Sequence, residues 1–474
     1  MRLRTTLILF SLTLVLGLYI LLVESKRPSR KEREETADRV VQVKAPEIKE
    51  VSIEKTAKNG KDTGKQEILL VRGAGNTWTM KKPVHARADS GKISSLATRL
   101  ELLDADRFVH DPDLADLGLE HPLLVAHFKT GEKDIKLSFG KEDPTSRRVY
   151  VAVEKRVAVI DKSFMQALDK PADDFRDKRV FPCDSFQVVR ADFSTGDEHV
   201  TLEKQGSSWR ITRPVSTKAY DTEAERLIEK ATGMKVLKFT GNKADRLSAF
   251  GLDPAHASIE LKLSNNKTYT LYLSGPRDNK RYAKLGGEPF IVQVKENSLK
   301  GLLLPDLSLL KDRKVFDLSN GISRDTVDYL KINNAGKTVE LKKQGDEWKL
   351  NQENKAARFK VEDRVGEFLD LVADRVVEDP GPKKIKPNKP IYAELGVKGK
   401  TVRLDLAYFT KKGQSGEQKV FLKRQGSKNL LEIEIDPMSL FSAKEKDFRS
   451  ALDMPKVSPE SESNSGPDAG SMPE

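Results

Sequence analysis

HVTLEKQGSSWRI, residues 199–211, alternates apolar and polar positions, breaks at Gly206 and resumes around Trp209. Strand, glycine turn, strand is a β-hairpin signal, with the glycine supplying a positive φ. The phrase occurs twice more: EILLVR precedes Gly75-Asn-Thr-Trp78, and TVELKK precedes Gly345-Asp-Glu-Trp348. These are the chain's three tryptophans, 131 and 139 residues apart. Each holds the same place after the turn, so it reads as a repeated core anchor rather than a stacking platform for glycans.

Working outward, a helix follows each hairpin. Ile93, Leu96, Leu100 and Leu103 fall on one face, as do Ala224, Leu227, Ile228 and Ala231, and Val361, Val365, Phe368, Leu369 and Val372. The first two helices come after Pro83 and Pro214, with Asp89 and Asp221 as cap candidates, and Thr222 with Glu225 has capping-box spacing. Short strands are expected at 107–109, 238–240 and 375–377. Glycine turns follow at LADLGLEHP around Gly118, LSAFGLDPA around Gly251 and YAELGVKGK around Gly396. Alternating strands come next: LLVAHFKT and DIKLSFG, then SIELKLS and TYTLYLSG, then TVRLDLAYF and KVFLK. Each copy closes on a short apolar helix and a charged segment, Phe175–Phe181, Leu310–Phe316 and Phe448–Met454.

Landmarks recurring in one order define an α+β fold of three tandem modules, each a mainly antiparallel sheet with one or two helices, at 49–183, 184–318 and 319–454. Each is long enough for its own core. The third diverges most: it lacks the proline after its tryptophan and carries GPKKIKPNKP at 381–390, which reads as an insertion.

Ahead of the modules, residues 5–23 (TTLILFSLTLVLGLYILLV) carry no charge and would span about 28 Å as a helix, close to the ~30 Å hydrocarbon core. A short basic start at 1–4 precedes this run and no small-residue cleavage site follows, so an uncleaved transmembrane anchor is expected. Arg2 and Arg4 face Lys26, Arg27, Arg30, Lys31 and Arg33 across it, a count that opposes the usual signal-anchor topology. The signal-anchor layout places the modules outside the cytoplasm. Residues 24–48 read as a charged, solvated tether and 455–474 as a disordered tail.

The chain of 474 residues is 33% charged and 37% hydrophobic, with formal net charge +12 and a single cysteine, Cys183. One cysteine excludes an intrachain disulfide and an all-cysteine metal site. The six histidines show no i, i+4 metal spacing, DPDLAD at 111–116 lacks the glycine and distal glutamate of a calcium loop, and no phosphate loop or G-x-S-x-G elbow occurs. No catalytic, cofactor or metal residue is therefore assigned, and no enzyme activity is expected. Positive charge is dispersed along half-solvated strands without a nucleic-acid motif. An anionic envelope polymer or lipid surface is a fitting partner. The one concentrated basic patch is Lys383, Lys384, Lys386 and Lys389 among prolines, a candidate partner-binding site on an extended, protruding segment.

The G-x-x-W hairpin, the capped helix, the LGL turn and the F-R-D-K-x-V-F close together resemble the bacterial family known as domain of unknown function 4340. That resemblance implies a single N-terminal anchor in the bacterial inner membrane, repeats on its outer side, and a neighbourhood of ABC-type transport systems of the gliding-motility kind. It implies no catalytic residue. The expected function is a membrane-anchored envelope scaffold or binding protein, accessory to such an assembly and contacting its transporter subunits. An envelope polymer- or ligand-binding module with a pocket between modules stands as the alternative, and an enzyme on envelope polymers as a third.

Overall fold

The computed structural model describes residues 14, 17, 18, 38–55, 66–143, 147–241, 246–316, 322–352, 354–381, 384–410, 418–434 and 441–449. The expected anchor at 5–23 and tail at 455–474 therefore lie outside the described residues, apart from Leu14, Gly17 and Leu18. Among the described residues no helix is long and apolar enough to cross a membrane.

The first module runs through β1 (Glu50–Lys55), β2 (Gln66–Arg72), β3 (Trp78–Lys82) and β4 (Ala86–Arg87) into helix α1 (Ser90–Glu101). It continues through β5 (Arg107–Val109), β6 (Leu124–Lys129), β7 (Asp134–Glu142), β8 (Arg148–Val153), β9 (Arg156–Asp161) and α2 (Lys162–Leu168). The second repeats this as β10 (Val188–Thr195), β11 (Glu198–Gln205), β12 (Ser208–Arg213), β13 (Thr217–Lys218), α3 (Asp221–Thr232), β14 (Lys238–Gly241), β15 (Ala257–Leu263), β16 (Thr268–Leu273), β17 (Lys280–Leu285) and β18 (Ile291–Lys295), then two one-turn helices, α4 (Glu296–Leu299) and α5 (Leu307–Leu310). The third has β19 (Tyr329–Asn334), β20 (Lys337–Gln344), β21 (Glu347–Leu350), β22 (Asn354–Ala356), α6 (Arg358–Asp370), β23 (Arg375–Val377), β24 (Ile391–Val397), β25 (Lys400–Phe409), β26 (Val420–Arg424), β27 (Leu430–Ile433) and α7 (Glu445–Phe448).

All three sheets have nine strands in one order. The first reads β4-β3-β2-β1-β6-β7-β8-β9-β5, and the other two follow it strand for strand. The long helix leaves one edge strand and the next strand joins the opposite edge, so the helix spans a face of its sheet. Ile93, Leu96, Ala97 and Leu100 of α1 share one core with Trp78, Phe128 and Phe139, and Val361, Val365 and Phe368 of α6 do the same with Trp348. Period-2 alternation sends Ile68 and Leu70 inward from β2 and Val339 and Leu341 from β20. The chain forms two compact units, residues 1–180 with 235–247 and 282–294, and residues 181–234 with 248–281 and 295–474.

The tryptophan hairpins form as expected. Gly75, Gly206 and Gly345 sit at φ of 64°, 64° and 61°. Trp78, Trp209 and Trp348 are 2%, 1% and 1% exposed, which is the packing role. Across the strand from them stand Arg72, Lys204 and Lys343, and the first two lie over their indoles at 4.9 and 5.6 Å. Some of the dispersed basic charge thus roofs the buried rings.

The helix starts differ from expectation at one point. Asp89 caps α1, its carboxylate accepting from the Lys92 N–H at 3.1 Å. In the second module the cap position falls to Tyr220, and Asp221 is already the first helical residue. Thr222 and Glu225 then lie inside the helix, two positions too late for a capping box. The cap residues are tied to the closing segments. The N–H groups of Asp89, Tyr220 and Ala357 donate to the carbonyls of Phe175, Leu310 and Phe448, each at 2.8 Å.

Those closing segments do more than close. Within the first unit, the Val236 N–H donates to the Lys178 carbonyl at 2.7 Å, and Arg179 bridges Lys235. Within the second unit, the Ala373 N–H donates to the Arg313 carbonyl at 2.8 Å and Val315 donates to Leu371 at 3.0 Å. The segment after one module's last helix is therefore the lead-in to the next module, pairing with the stretch behind that module's long helix. The first module has a lead-in too: Ala105 donates to the Asp38 carbonyl at 2.8 Å and Val40 to Leu103 at 2.9 Å. Val40, Val41, Val43, Ala45 and Ile48 are buried in its core. This corrects the reading of 24–48 as a solvated tether over residues 38–48, whose apolar residues from Val40 onward give them a surface to bury; residues 24–37 lie outside the described residues. Cys183, also buried, takes the place that Val43 holds in the first module, four residues before the end of a matching 3-10 turn.

In the third module two expectations are corrected. Gly396 makes no turn; it lies in β24 opposite Tyr329, where an added Cβ would stand 2.7 Å from the Tyr329 Cβ. Here the glycine permits close approach between strands, whereas Gly118 and Gly251 do turn, at φ of 69° and 67°. TVRLDLAYF and KVFLK are consequently β25 and β26, one strand later than the repeat alignment placed them. GPKKIKPNKP is also no insertion. The stretches linking β5 to β6, β14 to β15 and β23 to β24 are 110–123, 242–256 and 378–390, nearly equal in length, so it replaces the glycine turn.

Candidate functional site

The expected basic site is only partly assembled. Lys383 lies outside the described residues. Lys384 pairs with Asp379 at 3.1 Å and stands 5.6 Å from the Tyr408 ring, while Lys386 and Lys389 are exposed. The Gly381 backbone N–H and Lys384 hold the Asp379 carboxyl below its ordinary value. Ile385 exchanges backbone hydrogen bonds with Phe409 at 2.8 and 2.9 Å, which pins the segment to the end of β25. That corrects the expectation of a protruding segment: its alternate apolar residue finds an edge to pair with. DPDLAD forms a turn as read, with the Asp113 carboxylate accepting from the Ala115 and Asp116 N–H groups. Among the described residues no group of three or more His, Cys, Asp or Glu converges as a metal site.

The polar chemistry concentrates instead where the lead-ins dock. In the first unit, Arg87 of β4 donates to Asp177 at 2.9 Å, to Glu288 at 2.7 Å and to the Arg179 carbonyl at 3.0 Å. Burial works to raise the Asp177 carboxyl, but hydrogen bonds from Arg179 and the charge of Arg87 outweigh it and hold the group below the usual carboxylate range. Beside this cluster Arg176, 1% exposed, packs its guanidinium over Phe239 at 3.5 Å and Phe290 at 4.3 Å and donates to Asp173 at 3.1 Å. Burial pushes that guanidinium below its ordinary value, with Asp173 opposing. The first docking site is filled by the protein's own cation and two rings.

The second docking site, inside the second unit, is built on the same frame with other side chains. The Asp177 N–H donates to the Arg87 carbonyl at 3.0 Å, and the Asp312 N–H to the Lys218 carbonyl at 3.1 Å. Ala88 bridges Arg176, and Ala219 bridges Lys311. Phe239 pairs with Val292 as Val376 pairs with Leu431. Arg176, Phe239 and Phe290 thus correspond to Lys311, Val376 and Asn429. Asp312 accepts two bonds from Arg424, at its carboxylate (3.4 Å) and its carbonyl (2.8 Å), and Lys311 reaches Glu378 at 3.4 Å. Arg313 stacks over Tyr220 at 4.4 Å and donates to the Ala373 and Asp374 carbonyls. Where smaller residues replace the arginine and rings, a cavity of about 470 Å³ opens, with Lys218, Lys311, Asp312 and Arg424 among its walls. Sequence reasoning missed this site. Its signal lay in the paired closing segments themselves, which align Arg176 with Lys311 but say nothing of the space beside them.

A family model described as Domain of unknown function (DUF4340) matches residues 78–208 and 209–390, well over half of the chain. Both matched segments begin at a module's tryptophan, and the second runs past Trp348 into the third module. No curated protein matches the chain.

Proposed function

The chain belongs to the domain-of-unknown-function 4340 family, and on that premise we propose that it is a membrane-anchored scaffold and binding protein of the bacterial envelope, accessory to an ABC-type transport assembly. Its modules stand on the outer side of the inner membrane, held by the uncharged run at 5–23. The observation that carries this reading is the shared lead-in. Because 178–179 and 313–315 each belong to two modules, neighbouring modules are coupled through backbone hydrogen bonds rather than strung on linkers. Such coupling suits a protein that holds partners at fixed spacing. The four lysines at 383–389 add charge that tunes association more than stability.

Alkaline phosphatase fused after residue 449 should be active in intact bacteria, and crosslinking from membranes should capture transporter subunits. Activity only from a cytoplasmic reporter reverses the topology, and capture of no membrane protein removes the accessory role.

A further inference from the structure

We propose that a recess in the first module, between α1, α2 and the closing segment, binds a small oxyanion, a carboxylate or a phosphate monoester, carried on a short apolar body. The recess measures about 340 Å³, within the usual range of small-molecule sites. Leu96 of α1, Ala167 of α2 and Phe175 give it an apolar floor, and Ser95, Arg99 and Lys170 line it with polar groups. All of these residues belong to the first compact unit.

Its charge balance depends on which groups are already engaged. Lys92, also in the lining, donates to the Asp174 carbonyl at 2.9 Å and lies 4.0 Å from the Asp89 carboxylate. Asp174, the one acid of the lining, pairs with Lys178 at 3.1 Å. Nearby, Asp169 pairs with Lys55 and Asp173 with Arg176, each at 3.1 Å. Asp161 caps α2; hydrogen bonds from the Ser163 hydroxyl and N–H hold its carboxyl below the ordinary value, with the charges of Arg99 and Arg148 adding less. Arg99 and Lys170 remain. Among the described residues neither forms an ion pair. Arg99 donates once, to the Ser163 hydroxyl at 3.0 Å, and lies over the Phe164 ring at 5.8 Å, contacts that hold the guanidinium in place.

The repeat shows that the fold does not require these two cations. The third, sixth and tenth residues of the long helix are Lys92, Ser95 and Arg99 in α1, Glu223, Arg226 and Lys230 in α3, and Lys360, Asp363 and Glu367 in α6. Glu223 pairs with Arg226 at 2.5 Å, Lys230 donates to the Lys300 carbonyl, and Glu367 pairs with Arg364 at 3.0 Å. Counting back from Phe175 and Leu310, Lys170 falls on Pro305. The first module thus keeps two cations without a carboxylate partner beside an apolar floor. Uncompensated cations in a recess select an anion, and guanidinium and ammonium donors suit its oxygens. The acid group meets Arg99, Lys170 and the Ser95 hydroxyl while the apolar body lies on Leu96 and Phe175. This site goes beyond the scaffold reading and does not depend on the membrane topology.

The test uses the full chain purified in a non-ionic detergent and calorimetric titration with three probes: benzoate, phenyl phosphate and uncharged benzyl alcohol. Saturable, salt-sensitive binding of benzoate, phenyl phosphate or both is expected, and which of them binds separates a carboxylate from a phosphate ligand. Lys170 is exposed, so its replacement leaves the fold intact. Lys170→Gln should weaken binding at least about tenfold, the loss of one charge-assisted hydrogen bond, and Lys170→Glu should abolish it. Lys155→Gln, at an exposed lysine in the turn between β8 and β9, should leave binding unchanged. Equal binding of benzyl alcohol, binding unchanged in Lys170→Gln, an equal loss in Lys155→Gln, or no saturable binding of either anion overturns the proposal.

Discussion

The backbone N–H of Trp209 donates to the Asp221 carboxylate at 2.6 Å, joining the strand that carries the buried indole to the first turn of the helix that covers it. In the first module Ser90 does the same for Trp78 at 2.9 Å, twelve residues on in both cases. The acidic residue that resembles a cap is thus spent on the hairpin. Asp221→Ala should destabilise the second module by about 1.5–3 kcal/mol, the range for a hydrogen bond to a charged group. Asp221→Ser should retain most of the stability, because serine performs this task in the first module. Urea unfolding of the two variants checks the pair: an unchanged midpoint in Asp221→Ala would show that the bond contributes nothing, and equal losses in both would show that serine cannot replace the carboxylate here.

Gly396 and Tyr329 face each other across β24 and β19. Gly396→Ala places a methyl group 2.7 Å from the Tyr329 Cβ, so backbone must move. A loss of about 1–3 kcal/mol is expected, the usual cost of overpacking. The same substitution at Gly345 acts through a different cause, its positive φ, and meets no neighbour. Thermal unfolding of Gly396→Ala at the wild-type midpoint would disprove the contact.

Asp177 predicts acid sensitivity. Its folded-state carboxyl is held below the unfolded value of about 3.9. The stability it lends is therefore complete above that value and lost as pH falls through the folded one. Asp177→Asn should lower stability at pH 7 and flatten the decline of the denaturation midpoint below pH 4. Parallel pH profiles for wild type and variant would count against this assignment.

Tyr329 predicts the opposite limb. Burial, with Glu340 and Glu394 nearby, raises its phenol to about 12. A neutral phenol favoured by the fold loses stability as pH rises above the unfolded value near 10 and continues to do so until the folded one is passed. Ultraviolet titration should show one tyrosinate component appearing at about pH 12. It should vanish in Tyr329→Phe, and its persistence would assign it elsewhere.

The repeat was legible because three buried tryptophans and three turn glycines must recur wherever the same hairpin recurs. Helix faces were legible from spacing alone, as Leu96 and Leu227 show. Gly396 misled because glycine serves turns and close strand approach alike, and only the facing Tyr329 distinguishes them. The lead-ins misled for a related reason. Phe175–Phe181 ends one module and begins another, and a linear reading assigns each residue once. Arg176 and Lys311 look interchangeable in sequence. Their difference lies in what Phe239 and Phe290, or Val376 and Asn429, place beside them, which no local pattern records.

The lead-in at Asp38–Val40 has a further consequence for self-association. In the second and third modules this groove behind the long helix receives the preceding module's backbone. In the first it is occupied by the chain's own 38–40. A vacant groove of matching geometry would offer the Ala105 N–H and the Leu103 carbonyl, both unsatisfied, to residues 178–180 of a neighbouring molecule, and head-to-tail exchange of that kind propagates without closure. The short stretch ahead of β1 thus acts as a stopper, ending the series of lead-ins within one polypeptide and denying run-on polymerisation its starting edge.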